Sequence, residues 1–190
     1  MKFFTKFKYV SDYFFKKHLL LTNTGIGVMF LGAGDAIQQN IEKKLYHGKV
    51  YDTRRTGNMM FAGSAFGVLG HYWYKFLDFK FPGASAKAVG KKILSEMAIG
   101  PPLFLGFFIS IGLLEGKSVD QSFQQFKKNF FLILAADWAI YAPLQAINFF
   151  YVPLTYRVLY VCVLCLGYDI FLSYVIHKED LKEQKEKNIL

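Results

Sequence analysis

The sequence is poor in what a soluble enzyme needs. Two cysteines exclude a disulfide scaffold. Charged residues make up 19%, short of the roughly 25% of an average soluble domain. Acidic side chains are the scarcer sign, 14 against 23 Lys and Arg. No segment alternates polar and apolar residues with the period of two that a membrane barrel requires. The four histidines (His18, His47, His71 and His177) have no mutual metal-ligand spacing. Gly25-x-Gly27 has Phe30 where a dinucleotide fingerprint needs its third glycine. Cys162 and Cys165 form a CxxC in a uniformly apolar context, where thiols are unreactive. No nucleophile–base constellation is visible, so neither catalysis nor a cofactor nor a metal is expected.

What is present is oil. Of 190 residues, 53% are hydrophobic and 18% aromatic, with 21 Phe and 12 Tyr; mean hydropathy is +0.23. That excludes a disordered chain and, at this length, suggests one domain. The apolar residues fall in five blocks: Leu19 to Gln39, Thr56 to Leu77, Ile93 to Leu114, Phe130 to Val152 and Thr155 to Ile176. About 20 residues at 1.5 Å rise cross a hydrocarbon core of about 30 Å, so each block is long enough. The expected fold is an all-α integral membrane protein. Blocks one, two, three and five give a bundle of four firm transmembrane helices. The polar fourth block adds a long helix of undefined depth, and amphipathic helices lie on the surface. Residues 1–18 form a basic amphipathic segment, residues 19–176 the single transmembrane domain, and residues 177–190 a charged tail.

Lysines and arginines crowd the linkers on both sides, so the net charge of +9 reads as membrane flanks, and the positive-inside rule assigns no orientation. In the first segment Phe3, Phe7, Val10 and Phe14 recur at helical spacing opposite lysines, as in an interfacial or targeting helix. A second stretch, Ser118 to Phe131, opens with Ser118 and Gln121 at capping-box spacing. It carries Phe123, Phe126 and Phe130 in a stripe, which suggests a helix on the membrane surface.

Polar residues inside the blocks are the candidate site. Asp35, Gln38 and Gln39 share one helix face, either meeting headgroups or turned to an interior. Asp137, Arg157 and Asp169 also stand in or beside apolar runs. A charge at the helix centre costs about 2.5–3.5 kcal/mol on insertion scales. These groups should therefore face inward, with Arg157 opposite one of the two aspartates, as a static pair or as a pore lining. Trp138, Gln145 and Asn148 join them as members of a polar network. Gly63 and Gly67, with Gly70 beyond, form a small-residue pattern for close helix packing. Pro101, Pro102 and Pro143 are expected to kink their helices.

Several groups together resemble a known family. Gly34-Asp35-Ala36-Ile37-Gln38-Gln39 is similar to the close of the first helix in the Mpv-seventeen / peroxisomal-membrane-protein-twenty-two family. Asp52-Thr53-Arg54-Arg55, Gly63, His71-Tyr72-Trp73-Tyr74 and Leu77-Asp78 resemble its second helix, and Lys92, Glu96 and Pro101 its third. Asp137-Trp138, Pro143, Gln145, Asn148-Phe149, Val152-Pro153 and Arg157 resemble its most specific signature; Tyr141 and Ala142 stand where a second Trp is common. Thr22-Asn23-Thr24, Phe81-Pro82 and Leu114-Glu115-Gly116 resemble the Mpv-seventeen-like protein 2 branch. The resemblance implies a non-catalytic, multi-spanning protein of the mitochondrial inner membrane or the peroxisomal membrane. For the branch it implies support of mitochondrial ribosome assembly and translation, and for the wider family a weakly selective small-solute channel. The implied partners are the lipid bilayer, the mitochondrial ribosome and further copies of the chain.

Overall fold

The computed structural model describes residues 13–45, 50–164, 166–167, 170–171, 173–175 and 177. Phe3, Phe7, Val10, Cys165, Asp169 and most of the charged tail lie outside the described residues. A π-helical turn, Tyr13–Lys17, leads into α1 (Leu19–Leu45). Then come α2 (Thr53–Lys80), α3 (Ala86–Leu114) and α4 (Val119–Ala136). A second π-helical turn, Asp137–Tyr141, joins α4 to α5 (Ala142–Tyr151). A 3₁₀ turn, Leu154–Tyr156, precedes α6 (Arg157–Leu164), and helical residues continue beyond it as far as His177. No strand occurs among the described residues.

Local chemistry sets the boundaries. Asp52 caps α2 by accepting from Arg55 N at 3.0 Å. At the end of α3 the chain reverses through Gly116, whose φ of +82° only glycine adopts without strain. Lys117 N there donates to Gly112 O at 2.7 Å and Gly116 N to Leu113 O at 3.1 Å, closing the orphan carbonyls in a Schellman turn. Ser118 and Gln121 then form the reciprocal capping box. So tight a reversal makes α3 and α4 antiparallel.

Alpha-helices one and two pack antiparallel along their whole length: Asp35 meets Arg55, and Asn23 meets His71. The glycines make this possible. A Cβ on Gly27 would stand 2.2 Å from Gly63 O, one on Gly63 2.3 Å from Gly27 O, and one on Gly67 2.4 Å from Asn23 O. These obstacles are backbone and cannot swing away. Gly67→Ala is expected to cost about 1–3 kcal/mol, read as a lowered Tm in detergent. Gly70→Ala is the control, since its Cβ would meet only Val158 at 3.8 Å.

The core has two apolar clusters, one around Met59, Phe107, Phe108, Ile111, Phe126 and Ile133, the other around Ile26, Tyr74, Leu77, Val89, Phe149 and Val158. The outer surface is also apolar. Leu21, Phe61, Leu69, Leu94, Phe131 and Ile140 are each at least half exposed. A soluble monomer does not present such a continuous surface, whereas a bundle solvated by lipid does.

Three helical runs are long and apolar enough to span: Leu19–Lys44, Ala86–Leu114 and Val119–Tyr151. This differs from the sequence expectation in three ways. Block two forms a 28-residue helix but does not qualify by hydropathy, because its uncharged stretch carries four glycines, Asn58 and His71. The described part of block five is shorter, an apolar helix of Leu154–Val163. The polar fourth block qualifies, and the stretch expected on the surface runs straight into it as one 33-residue run. Phe126 of that stretch is buried against Phe108, with ring centroids 5.6 Å apart.

Alpha-helix three continues across Pro101 and Pro102. Pro143 acts differently. Proline has no N–H and its ring clashes with the carbonyl four residues back. The chain accommodates this with the preceding π-helical turn, in which Ala142 N bonds Asp137 O. The widened turn re-aims Asp137.

Candidate functional site

The polar interior is organised in three tiers. At the end where α1 stops and α2 starts, Arg55 donates from Nε to Asp35 Oδ1 at 2.8 Å and from both terminal nitrogens to Glu42, at 2.8 and 3.0 Å. Ser173 accepts from Arg55 at 2.9 Å and donates to Asp35 Oδ1 at 2.7 Å. Thr56 and Gln39 both donate to Asp35 Oδ2, at 2.7 and 2.8 Å. Gln39 also accepts from Asp52 N at 2.7 Å, and Gln38 donates to Glu42 at 3.2 Å. Asp35, Gln39, Glu42 and Arg55 are buried. This lattice ties α1, α2 and the last helix together.

Beside it, His177 Nε2 lies 2.6 Å from Glu115 Oε1 and Nδ1 lies 2.7 Å from Ser173 O, while Lys117 Nζ is 3.4 Å from Glu115. Burial pushes the Glu115 carboxyl up, but the His177 contact and charge together with Lys117 outweigh it. The group is held below the ordinary carboxylate range. Its stabilising contribution is thus fully present above its unfolded value of about 4.5 and is lost as pH falls through the lowered folded value. The Tm difference between wild type and Glu115→Gln is expected to be largest near neutrality and to shrink on acidification below pH 4.5.

At the opposite end Asp78 is the shared anion. Lys92 Nζ and Arg157 Nη1 both donate to Asp78 Oδ1 at 2.6 Å. Both cations also stack on the Phe149 ring, at 5.5 and 5.2 Å from its centroid, so one aromatic face and one carboxylate hold α2, α3, α5 and the start of α6. Arg157 was expected opposite Asp137 or Asp169. Its partner is Asp78, because antiparallel packing brings the C-terminal end of α2 beside the first residue of α6, whereas Asp137 stands about half a span away, beside Gly100.

Between the two ends lies a cavity of about 590 Å³. Trp73, Phe76, Phe104 and Phe107 contribute rings to its wall, and Glu96 and Asp137 contribute carboxylates. Trp73 Nε1 donates to Glu96 Oε1 at 2.8 Å, and Gln145 Nε2 donates to Oε2. Gln145 further reaches Tyr74 OH at 2.8 Å, and Asn148 donates to Gln145 Oε1 at 2.7 Å. Asp137 is only 6% exposed, yet it accepts no side-chain hydrogen bond among the described residues. No Lys or Arg among them lines the cavity.

The structure thus brings Asp35, Gln38 and Gln39 into one lattice and Gln145 and Asn148 into another. Asp137 stands on the cavity, and Arg157 anchors the far end. Trp138 is 45% exposed and belongs to none of them. Gly63 and Gly67 lie at the α1–α2 crossing, and Gly70 does not. Sequence reasoning did not assign Glu42, Arg55, Asp78, Lys92, Glu96, Trp73, Tyr74, Tyr141 and Ser173 to a site. Glu42 was findable: with Asp35, Gln38 and Gln39 it completes an i, i+3, i+4, i+7 stripe. Glu96 carried a signal too, an acid inside an apolar run.

These features define a helical membrane protein with an ion-paired interior and a largely apolar cavity between its two ion-paired ends. Relatives agree with this class. A family model described as "Mpv17 / PMP22 family" matches residues 112–173. Protein sym-1 of Neurospora crassa is 32% identical over 161 residues, which cover 82% of this chain and 91% of the relative. The mitochondrial inner membrane protein Mpv17 of Danio rerio is 32% identical over 151 residues, 78% of this chain and 84% of its own. PXMP2/4 family protein 4 of Dictyostelium discoideum is 32% identical over 149 residues, 77% and 80% of the two chains. The chain belongs to the Mpv17/PMP22 family, and the mitochondrial inner membrane is the location its relatives' names support. No solved structure matches it.

Proposed function

We propose that this protein forms a weakly selective path for small solutes through the mitochondrial inner membrane, with the central cavity as its chamber. The observation that carries the reading is the distribution of charge. Arg55, Lys92 and Arg157 are each committed to carboxylates at the two ends, while Glu96 and Asp137 are left on the cavity wall without a cation. Charged groups lining a path set its preference, and two carboxylates favour cations. Purified protein in planar bilayers is expected to conduct with a preference for K⁺ over Cl⁻ that Asp137→Asn reduces. Absence of conductance across voltage and pH, or a preference untouched by the substitution, would contradict it.

A second reading, support of mitochondrial ribosome assembly, is favoured by the resemblance to the like-protein branch and by one structural observation. Lys75, Lys80, Lys87 and Lys91 are exposed around the same end of the bundle, where they could meet ribosomal RNA phosphates. Deleting the gene is then expected to shift ribosomal-subunit profiles in sucrose gradients; unchanged profiles would rule it out. Imaging a tagged chain tests the inner membrane against the peroxisomal membrane.

A further inference from the structure

We propose that the central cavity binds a small amphiphilic organic cation: an ammonium-type centre on an aromatic or aliphatic body. This rests on the reading of the cavity as the place where a solute sits, but not on conduction. Three observations carry it. The volume, about 590 Å³, is in the range of small-molecule sites, roughly 300–1,000 Å³. The wall is apolar and ringed by Trp73, Phe76 and Phe104, which suits an apolar body and offers ring faces to a cation. The third is the polar inventory. Glu96 has both oxygens engaged, by Trp73 and Gln145, so it is oriented and held. Asp137, more than nine-tenths buried, faces the cavity with no side-chain hydrogen-bond donor among the described residues.

A buried carboxylate without a partner is costly, and the buried Lys and Arg side chains among the described residues are spoken for. Arg55 is bound to Asp35 and Glu42. Lys92 and Arg157 are bound to Asp78. What Asp137 lacks is a positively charged partner, and a ligand that supplies one must also fill apolar space. A phosphate, carboxylate or sugar meets neither condition. An inorganic cation meets the first and leaves the apolar volume empty.

The test uses the full chain in nanodiscs. Trp73 lines the cavity, and the other tryptophan of the two, Trp138, faces outward, so a Trp138→Phe background leaves Trp73 emission as a reporter at the site. The probe is benzyltrimethylammonium, compared with its neutral isostere neopentylbenzene and with the anion phenylacetate. The cation is expected to change Trp73 emission saturably and the anion not at all, with the neutral isostere weaker by at least about tenfold. Asp137→Asn should weaken the cation at least about tenfold, and Lys87→Gln should leave it unchanged. Gly100→Val gives an independent arm that keeps the charge: a Cβ there stands 3.3 Å from Asp137 Oδ2, so it covers the carboxylate and should also abolish binding. Equal affinity for the neutral isostere, or full affinity in both variants, would overturn the proposal. Conductance of K⁺ without this binding would overturn it and leave the solute path standing; binding without conductance would do the reverse.

Discussion

Replacing Arg55 with methionine is expected to remove most of the folded protein. Arg55 bonds both Asp35 and Glu42, and all three side chains are at most 5% exposed. Its loss removes the bridging cation from between two buried carboxylates. Breaking a single buried pair costs about 3–5 kcal/mol, comparable with the whole stability of a small domain. Two features make this substitution diagnostic. First, Arg55→Lys should rescue little. The ammonium cannot make the fork of bonds that Arg55 sends to Asp35, Glu42 and Ser173. Second, the triple variant Arg55→Met, Asp35→Asn, Glu42→Gln should recover much of the loss, because the damage comes from uncompensated charge and not from a hole. Abundance in membranes and Tm in detergent check both.

The second large effect is at Asp78. One carboxylate oxygen serves Lys92 and Arg157, so Asp78→Leu strands two cations at once and is expected to cost about 3–5 kcal/mol. Arg157→Gln strands none, since Lys92 still neutralises Asp78, and should cost far less. The asymmetry separates this arrangement from the pairing the sequence suggests. Were Arg157 the partner of Asp137, then Arg157→Gln and Asp137→Asn would be the damaging changes and Asp78→Leu a mild one. Here Asp137→Asn, which removes a buried charge that no side chain pairs, is expected to leave Tm unchanged or raise it while altering ion preference.

What could be read from the chain and what could not divide along a physical line. Local rules were legible. The stripe Asp35, Gln38, Gln39 faces the interior of the bundle; the capping box opens the helix at Ser118; Gly63 and Gly67 lie where two backbones touch. Each depends on helical periodicity or on steric size, which a sequence displays. Partner choice was not legible. Asp78 is 79 residues from Arg157, and only the antiparallel order of α2, α3 and α6 decides that they meet. Depth was not legible either. The polar residues of the fourth block left its depth open; Gln145 and Asn148 are wholly buried, bonded to each other, with Gln145 also bonded to Glu96, so lipid never meets them. Conversely block two looked apolar, but its helix keeps Arg55 and His71 inward and relies on α1 for its place. Trp138 was placed in the site with the Asp137-Trp138 pair of the family signature. Adjacent residues on a helix point about 100° apart, and this one faces out.

The charge of the central chamber decides which solutes it favours, and one labelling experiment reads that charge directly. A single cysteine placed at Ile99, which lines the cavity, in a Cys162→Ser, Cys165→Ser background leaves Glu96 and Asp137 in place. With the protein folded in membranes, a cationic methanethiosulfonate is predicted to modify it at least about tenfold faster than an anionic one. Glu96→Gln combined with Asp137→Asn should erase the difference. Equal rates for both reagents with the carboxylates intact, or faster reaction with the anion, would contradict the account.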